Sequence, residues 1–217
     1  MPDRHAELHG GRCRPTVHSL SLPGGPVGAH AGLMSIDGMV EIRPVYRREY
    51  EALGELGFFE EEHVELLDGR IVLAADEGSD HAAVTRRLNR LLVEGIPGDE
   101  VEIGVGNPLA MSDLSEPQPD FMVIMPIATY RAAHPTTASL VIEVSHTSRR
   151  LDLGLKARLY AAAGIPDYWV VDLARDEIVV HREPAADAFA SVTRHRDGVL
   201  RPLHHPRVAV DVSQLLR

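Results

Sequence analysis

Apolar and polar positions along this chain switch repeatedly between a helical period and a strand period. Tyr46, Tyr50, Leu53 and Leu56 recur at helical intervals and predict a helix over residues 44–57. Val64-Glu65-Leu66-Leu67 and Arg70-Ile71-Val72-Leu73 flank Asp68-Gly69. Asp-Gly between two apolar runs predicts a hairpin, because its turn needs positive φ at the central residues. Val84, Leu88, Leu91 and Leu92 form the stripe of a second helix over residues 81–95, with Ser79 or Asp80 as its cap. Residues 101–111 read as a strand broken near Gly104 or Gly106-Asn107-Pro108, and 112–116 as a loop. Gln118 to Ile124 reads as a strand with Pro119 at its start, where no ladder donor is missed. After a polar connection, Leu140 to Ser145 is strand again, and residues 149–163 are a helix with Leu151, Leu155 and Leu159 on its stripe. Gly164-Ile165-Pro166 stops that helix, and the aromatic and β-branched run Tyr168 to Asp172 follows as a strand. Ile178 to His181 pairs with it across residues 174–176. Residues 189–193 and 198–203 suggest a further hairpin, and 212–216 a short closing helix. Helices that follow strands make this an α/β core with meander additions.

Residues 1–40 keep neither period. They hold seven of the 18 glycines, four of the 15 prolines and four of the 12 histidines. The stretch is expected to be a disordered or loosely attached extension, with the folded domain over residues 41–217. His5, His9, His18 and His30 lack metal-ligand spacing.

The 217 residues, 44% hydrophobic and 25% charged, suit one soluble domain plus an extension. A single cysteine, Cys13, allows no disulfide and no cysteine-based zinc site within the chain, so a cytoplasmic location is expected. No apolar run approaches the ~20 residues that span a bilayer, and no secretory h-region is present, so no membrane role is expected. A net charge of −10 argues against a surface coated for non-specific DNA binding. It leaves a nuclease open, because metal neutralises a carboxylate-rich site.

The candidate chemistry centres on Glu143, a carboxylate inside the apolar run Leu140 to Ser145. Carboxylates are almost never fully buried unless paired or bound to a cation. Alternation puts Glu143 on one face with Val141 and Ser145, and Leu140, Ile142 and Val144 on the other. Asp120 opens the preceding strand, and if the two strands are neighbours both carboxylates meet at one end of the sheet. Asp152 and Lys156 stand one helical turn apart, and a helix packed back on the sheet brings Lys156 to the same point. Phosphodiester hydrolysis needs a cation on the phosphoryl oxygens and a source of hydroxide near neutral pH. Two carboxylates suffice for Mg²⁺, which keeps several of its waters. Plainer readings stand beside these. Asp152–Lys156 is also an ordinary solvated helix pair, Asp120 a strand-start residue, Glu143 the partner of an arginine and His81 a structural or solvent group. Glu65 is open between an outward-facing strand residue and a third inward carboxylate.

Several segments resemble the Uma-two type restriction endonuclease family of the PD-(D/E)XK nuclease superfamily. They are Val64 to Gly69, Gly78 to His81, Glu116 to Asp120, Leu140 to Val144 with Thr147-Ser148, Asp152 to Lys156, Tyr160 to Pro166 and Tyr168 to Asp172. The resemblance spans residues 43–217. It implies a restriction-endonuclease-like α/β core, a central mixed β-sheet flanked by helices with added β-hairpins, and divalent metal at the sheet end. It implies a metal-dependent DNA endonuclease, with Mg²⁺ or Mn²⁺ held by Asp120, Glu143 and Glu65. Lys156 is the lysine moved to the following helix, because Ser145 stands where the superfamily's common pattern has it. Asp152, His81, Gln118 and Ser145 are accessory candidates. His146 departs from relatives that carry an acid there. DNA is the expected substrate and a homodimer the expected assembly, since two sites cut two strands. The alternative is a catalytically silent nuclease-like binding or regulatory module, for example of a mobile element or defence system.

Overall fold

The computed structural model describes residues 34–36, 40–74, 78–98, 101–125 and 133–217, which fall in one unit, Met34–Arg217. Strands β1 (Met34–Ile36) and β2 (Val40–Ile42) pair antiparallel, so the expected end of the extension falls inside a short hairpin. The four histidines of the extension lie outside the described residues.

Helix α1 (Arg47–Glu55) is followed by the hairpin of β3 (Val64–Leu67) and β4 (Arg70–Leu73). Asp68 and Gly69 take φ of 51° and 73°, the left-handed geometry that a two-residue hairpin turn demands. The hairpin is tied to the segment before the main sheet by Glu116, whose N–H donates to the Leu66 carbonyl at 2.7 Å. Helix α2 (Ser79–Gly95) starts after Gly78, so Ser79 and Asp80 lie in its first turn instead of capping it.

Strands β5 (Glu102–Val105) and β6 (Phe121–Ile124) are shorter than the apolar pattern suggests. Strand β6 begins at Phe121, which leaves Gln118, Pro119 and Asp120 outside it with their polar groups available to the site. Strand β7 (Leu140–Ser145) is followed by α3 (Arg149–Leu151), a π-helical turn (Asp152–Lys156) and α4 (Ala157–Ala162). Then come β8 (Asp167–Asp172), β9 (Glu177–Ala185), β10 (Ala188–His195), β11 (Val199–Leu200), β12 (Val210–Asp211) and α5 (Val212–Leu215).

The main sheet has six strands in the order β10-β9-β8-β7-β6-β5. Only β7 and β8 pair in parallel, across the α3–α4 crossover, and the other neighbours are antiparallel. The hairpin expected between residues 189–193 and 198–203 does not form. Strand β10 pairs with β9 through a turn at Ala186-Asp187, and β11 pairs with β12. Ala186 takes a φ of 53° without the glycine or asparagine that would mark the turn in a sequence.

The strand alternation builds two cores. Leu140, Ile142 and Val144 face α2, where they pack with Val84, Leu88 and Leu92. Val141 faces the other way and packs with Met122, Val170, Ala157 and Tyr160. Each such aliphatic or aromatic side chain contributes roughly 1.5–3 kcal/mol on burial, which anchors α2 and α4 to opposite faces of the sheet. Glu143, two residues from Val141, is therefore carried into the layer beneath α4.

Candidate active site

Asp120 and Glu143 come together because of register. Phe121 pairs with Ile142 and Met122 with Val141, so the same ladder carried one residue further sets Asp120 opposite Glu143. Asp120 Oδ2 accepts a hydrogen bond from the Val144 N–H at 2.6 Å, and Oδ1 lies 3.0 Å from His81 Nε2. His81 is in the first turn of α2, the helix packed on the opposite face from α4. It is buried against the site, in place of the solvent position considered for it.

Lys156 enters from the π-helical turn. Its Nζ lies 3.0 Å from both Glu65 oxygens and 3.0 Å from Glu143 Oε1, with Asp152 Oδ1 at 3.9 Å. Asp152 and Lys156 are 2% and 5% exposed, so the solvated surface pair that their spacing allows is not what forms. The partner of Glu143 is this lysine and not an arginine. A π-turn adds a residue to the helical repeat, often at functional sites. Here the Ala157 N–H and the Tyr168 hydroxyl both donate to the Asp152 carbonyl, the latter at 3.0 Å.

Glu65 faces inward. It is 4% exposed, and its Oε1 accepts from the Gln118 main-chain N–H at 2.8 Å. The Gln118 side chain donates to the Val64 carbonyl at 3.1 Å, clamping β3 to the segment that leads into β6. Ser145 lies on the same face as Glu143, its Oγ 3.5 Å from Ser148 Oγ. Ser148 in turn donates to Asp152 Oδ2 at 2.6 Å. All the site candidates except Ser145 line one cavity of about 280 Å³, which His146 also lines.

Two residues join the site without having been singled out. Tyr160 donates its hydroxyl to Glu143 Oε1 at 2.8 Å, and Tyr168 holds the π-turn. The signal for Tyr160 was its position four residues after Lys156, on the same helical face. Tyr168 offered only strand propensity and its place in one of the resembling segments.

The electrostatics follow from burial and sign. Burial pushes the Glu143 carboxyl well above its usual range, against the pull of Lys156, and Asp152, Asp120 and Glu65 push it further. Burial also raises Asp152, opposed by Lys156 and by hydrogen bonds from Ser148 and Ser145. Burial alone would lower the Lys156 ammonium, but Glu143, Glu65 and Asp152 outweigh it and hold the group charged. Three buried carboxylates thus share one buried cation, and Asp120 adds a fourth carboxylate opposite Glu143. Among the described residues no three His, Cys, Asp or Glu side chains already form a metal cage. The donor chemistry nevertheless fits Mg²⁺ or Mn²⁺, because the donors are hard carboxylate oxygens and their charge exceeds what Lys156 balances.

Residues 47–209 match the family model Uma2, described as "Putative restriction endonuclease". The fold matches a crystal structure of a nuclease from Anabaena variabilis assigned to DUF820, itself described as putative. That likeness has a TM-score of 0.65 at 15% identity and covers 80% of this chain and 98% of that one. No curated protein matches the chain.

Proposed function

The chain belongs to the Uma2 family of putative restriction endonucleases, and from that membership we propose that it hydrolyses DNA phosphodiester bonds with Mg²⁺ or Mn²⁺. The observation that carries the reading is the buried Lys156 ammonium, 3.0 Å from Glu65 and from Glu143, on the sheet face and end that Asp120 shares. Asp120 and Glu143 would hold the metal, with Glu65 assisting directly or through water. A metal held by these carboxylates would supply charge neutralisation and activation of water for the hydrolysis.

The chain's own groups have separable tasks. Lys156 keeps two carboxylates converged and presents a fixed positive charge where negative charge develops on the phosphoryl group. Tyr160 and Lys156 both hold Glu143 Oε1, which would leave the second carboxylate oxygen for the metal. His81 and the Val144 N–H hold the Asp120 carboxylate between them. Ser145 cannot supply a cation, so the positive charge must arrive from the helix, and the π-turn sets its reach. A homodimer would present two such sites to two strands. No helix among the described residues is long and apolar enough to cross a membrane.

The test is cleavage of supercoiled plasmid and single-stranded DNA by the purified full chain with Mg²⁺ or Mn²⁺. Nicking by wild type that is lost in Lys156→Ala and in Asp120→Asn supports the reading. Wild type no more active than Lys156→Ala overturns it and leaves the silent binding module.

A further inference from the structure

A second cavity, of about 900 Å³, opens on the other side of Gln118. Glu51, Glu55, Glu60, Glu61, Glu62 and Glu116 line it against one arginine, Arg47. Such a wall repels phosphate, so a substrate strand leaving the site finds no favourable path that way. The other direction runs along the sheet, from β7 across β8 and β9 to β10.

Register equips that direction with cations. Ser145 at the end of β7 pairs with Asp172 on β8, and Asp172 pairs with Glu177 on β9. Directly paired residues share a face of the sheet, so all three lie on the face that carries Glu143. Arg194 pairs with Val179, two residues along β9 from Glu177, and is therefore on this face too. Asp172 and Glu177 are buried, and each is held by arginine. The Arg149 Nε donates to Asp172 Oδ2. Glu177 takes two arginines: Arg194 Nη1 donates to Oε1 at 2.6 Å and Arg196 Nε to Oε2 at 3.3 Å. One carboxylate does not neutralise two guanidiniums. The Arg194 and Arg196 side chains are 51% and 69% exposed, and neither makes another ion pair among the described residues. Each guanidinium carries five N–H donors in a fixed fork, and Glu177 engages one nitrogen of each. The result is a pair of cations on a buried anchor, with donors left for a ligand.

Their placement says which ligand. Neighbouring strands lie about 4.8 Å apart, so Ser145 to Glu177 spans roughly 10 Å across two strand spacings. A duplex strand advances about 3.4 Å per nucleotide along its axis, so that span is about three nucleotides. Guanidinium forks match phosphate oxygens bidentately. Asp176 and Asp197 are exposed in the adjoining turns, which narrows the favourable contact to this pair instead of a broad basic surface. We propose that Arg194 and Arg196 bind a backbone phosphate of the DNA strand, about three nucleotides from the one being cut. The inference rests on the nuclease reading for its substrate and adds the direction in which that substrate lies.

The probe is a fluorescein-labelled DNA duplex two helical turns long, titrated with the full chain in Ca²⁺ and read by anisotropy. Arg194→Gln and Arg196→Gln are combined in a Glu177→Gln background, so that no buried charge is left without its partners. This triple variant should bind on the order of 50-fold more weakly at about 0.1 M salt. The slope of log affinity against log salt should fall by about 1.8, because each phosphate contact contributes roughly 0.9. In plasmid cleavage the loss should fall on KM more than on kcat. Arg90→Gln removes an exposed arginine of α2, the helix packed on the opposite face, and should bind DNA as wild type does. If the triple variant folds poorly by circular dichroism, Arg196→Gln alone carries the test, with a slope change of about 0.9. Unchanged affinity and salt slope overturn the proposal even where wild type cleaves DNA. Absence of DNA binding by wild type does the same, as does an equal loss in Arg90→Gln, which would reduce the effect to overall charge. Failure of the nuclease reading looks different: wild type then cleaves nothing, while the triple variant still loses DNA binding and the phosphate contact stands.

Discussion

The two cavities either side of Gln118 solve the same electrostatic problem differently. Both concentrate carboxylates at or near the protein interior. Around the smaller one, the chain supplies its own cation, and Lys156 draws Glu65, Glu143 and Asp152 together. Tyr160 and Gln118 donate to oxygens that Lys156 also holds, and Ser148 donates to the second Asp152 oxygen. Around the larger one, Arg47 pairs with Glu51 at 2.7 Å and reaches Glu116 Oε2 only at 4.0 Å, and burial with the neighbouring Glu51 pushes the Glu116 carboxyl up to about 7. The difference teaches how a buried carboxyl is tolerated. A cluster built around a buried lysine keeps its carboxylates converged, whereas one without such a cation tolerates a buried carboxyl by keeping its proton up to about pH 7.

Four substitutions would break or sharpen this contrast, and the largest effect is expected at Lys156. Lys156→Met leaves three buried carboxylates without their cation, which should cost about 3–5 kcal/mol of folding stability. Chemical denaturation checks this, and a variant as stable as wild type would show that Lys156 is not the cluster's counter-ion. Next comes Asp120→Asn. It should fold normally yet weaken Mn²⁺ binding by at least the ~100-fold that changes behind a ligand reach, as measured by calorimetry. Equal Mn²⁺ affinity in the variant would remove Asp120 from the metal set.

Tyr160→Phe is subtler. It deletes one hydrogen bond to a charged acceptor, worth about 1.5–3 kcal/mol. Plasmid cleavage should fall in kcat with little change in KM, because Tyr160 acts through Glu143 and touches no substrate. A change in KM alone would speak against this positioning role.

The smallest effect, and the one with a sign to check, belongs to Glu116→Gln. Glu116 is raised above its unfolded value, so the folded state binds its proton more tightly than the unfolded state does. That favours folding at low pH, and the benefit is lost as pH rises from the unfolded carboxyl range through about 7. Glu116→Gln should therefore raise Tm at pH 8, by a few degrees for a chain of this size, with no gain below pH 4.5. A pH-independent difference in Tm would mean that Glu116 ionises in the folded protein as it does in the unfolded one.

Much of the sheet was legible because strand signals are local. The Asp68-Gly69 turn, the apolar run around Glu143 and the Gly164-Ile165-Pro166 stop each act within a few residues. The turn at Ala186-Asp187 was missed because it borrows positive φ from a residue that rarely adopts it. The π-turn was missed because hydrophobic spacing from Leu151 to Leu159 fits a plain α-helix equally well, and the extra residue is held by a hydroxyl from Tyr168.

By itself the sequence determined the secondary structure of the core, the face on which Glu143 lies and, through resemblance, the family. Those properties depend on backbone period, turn chemistry and motif, all readable along the chain. Only the tertiary structure decided which carboxylates converge. Lys156 meets Glu143 across 13 positions but Glu65 across 91, and no local rule links that second pair. Whether Glu65 faces water or Lys156, and whether Glu116 is exposed or buried beside Glu51, depends on how the β3–β4 hairpin docks beside the main sheet. Long-range docking sets burial, and burial turns an ordinary glutamate into a site.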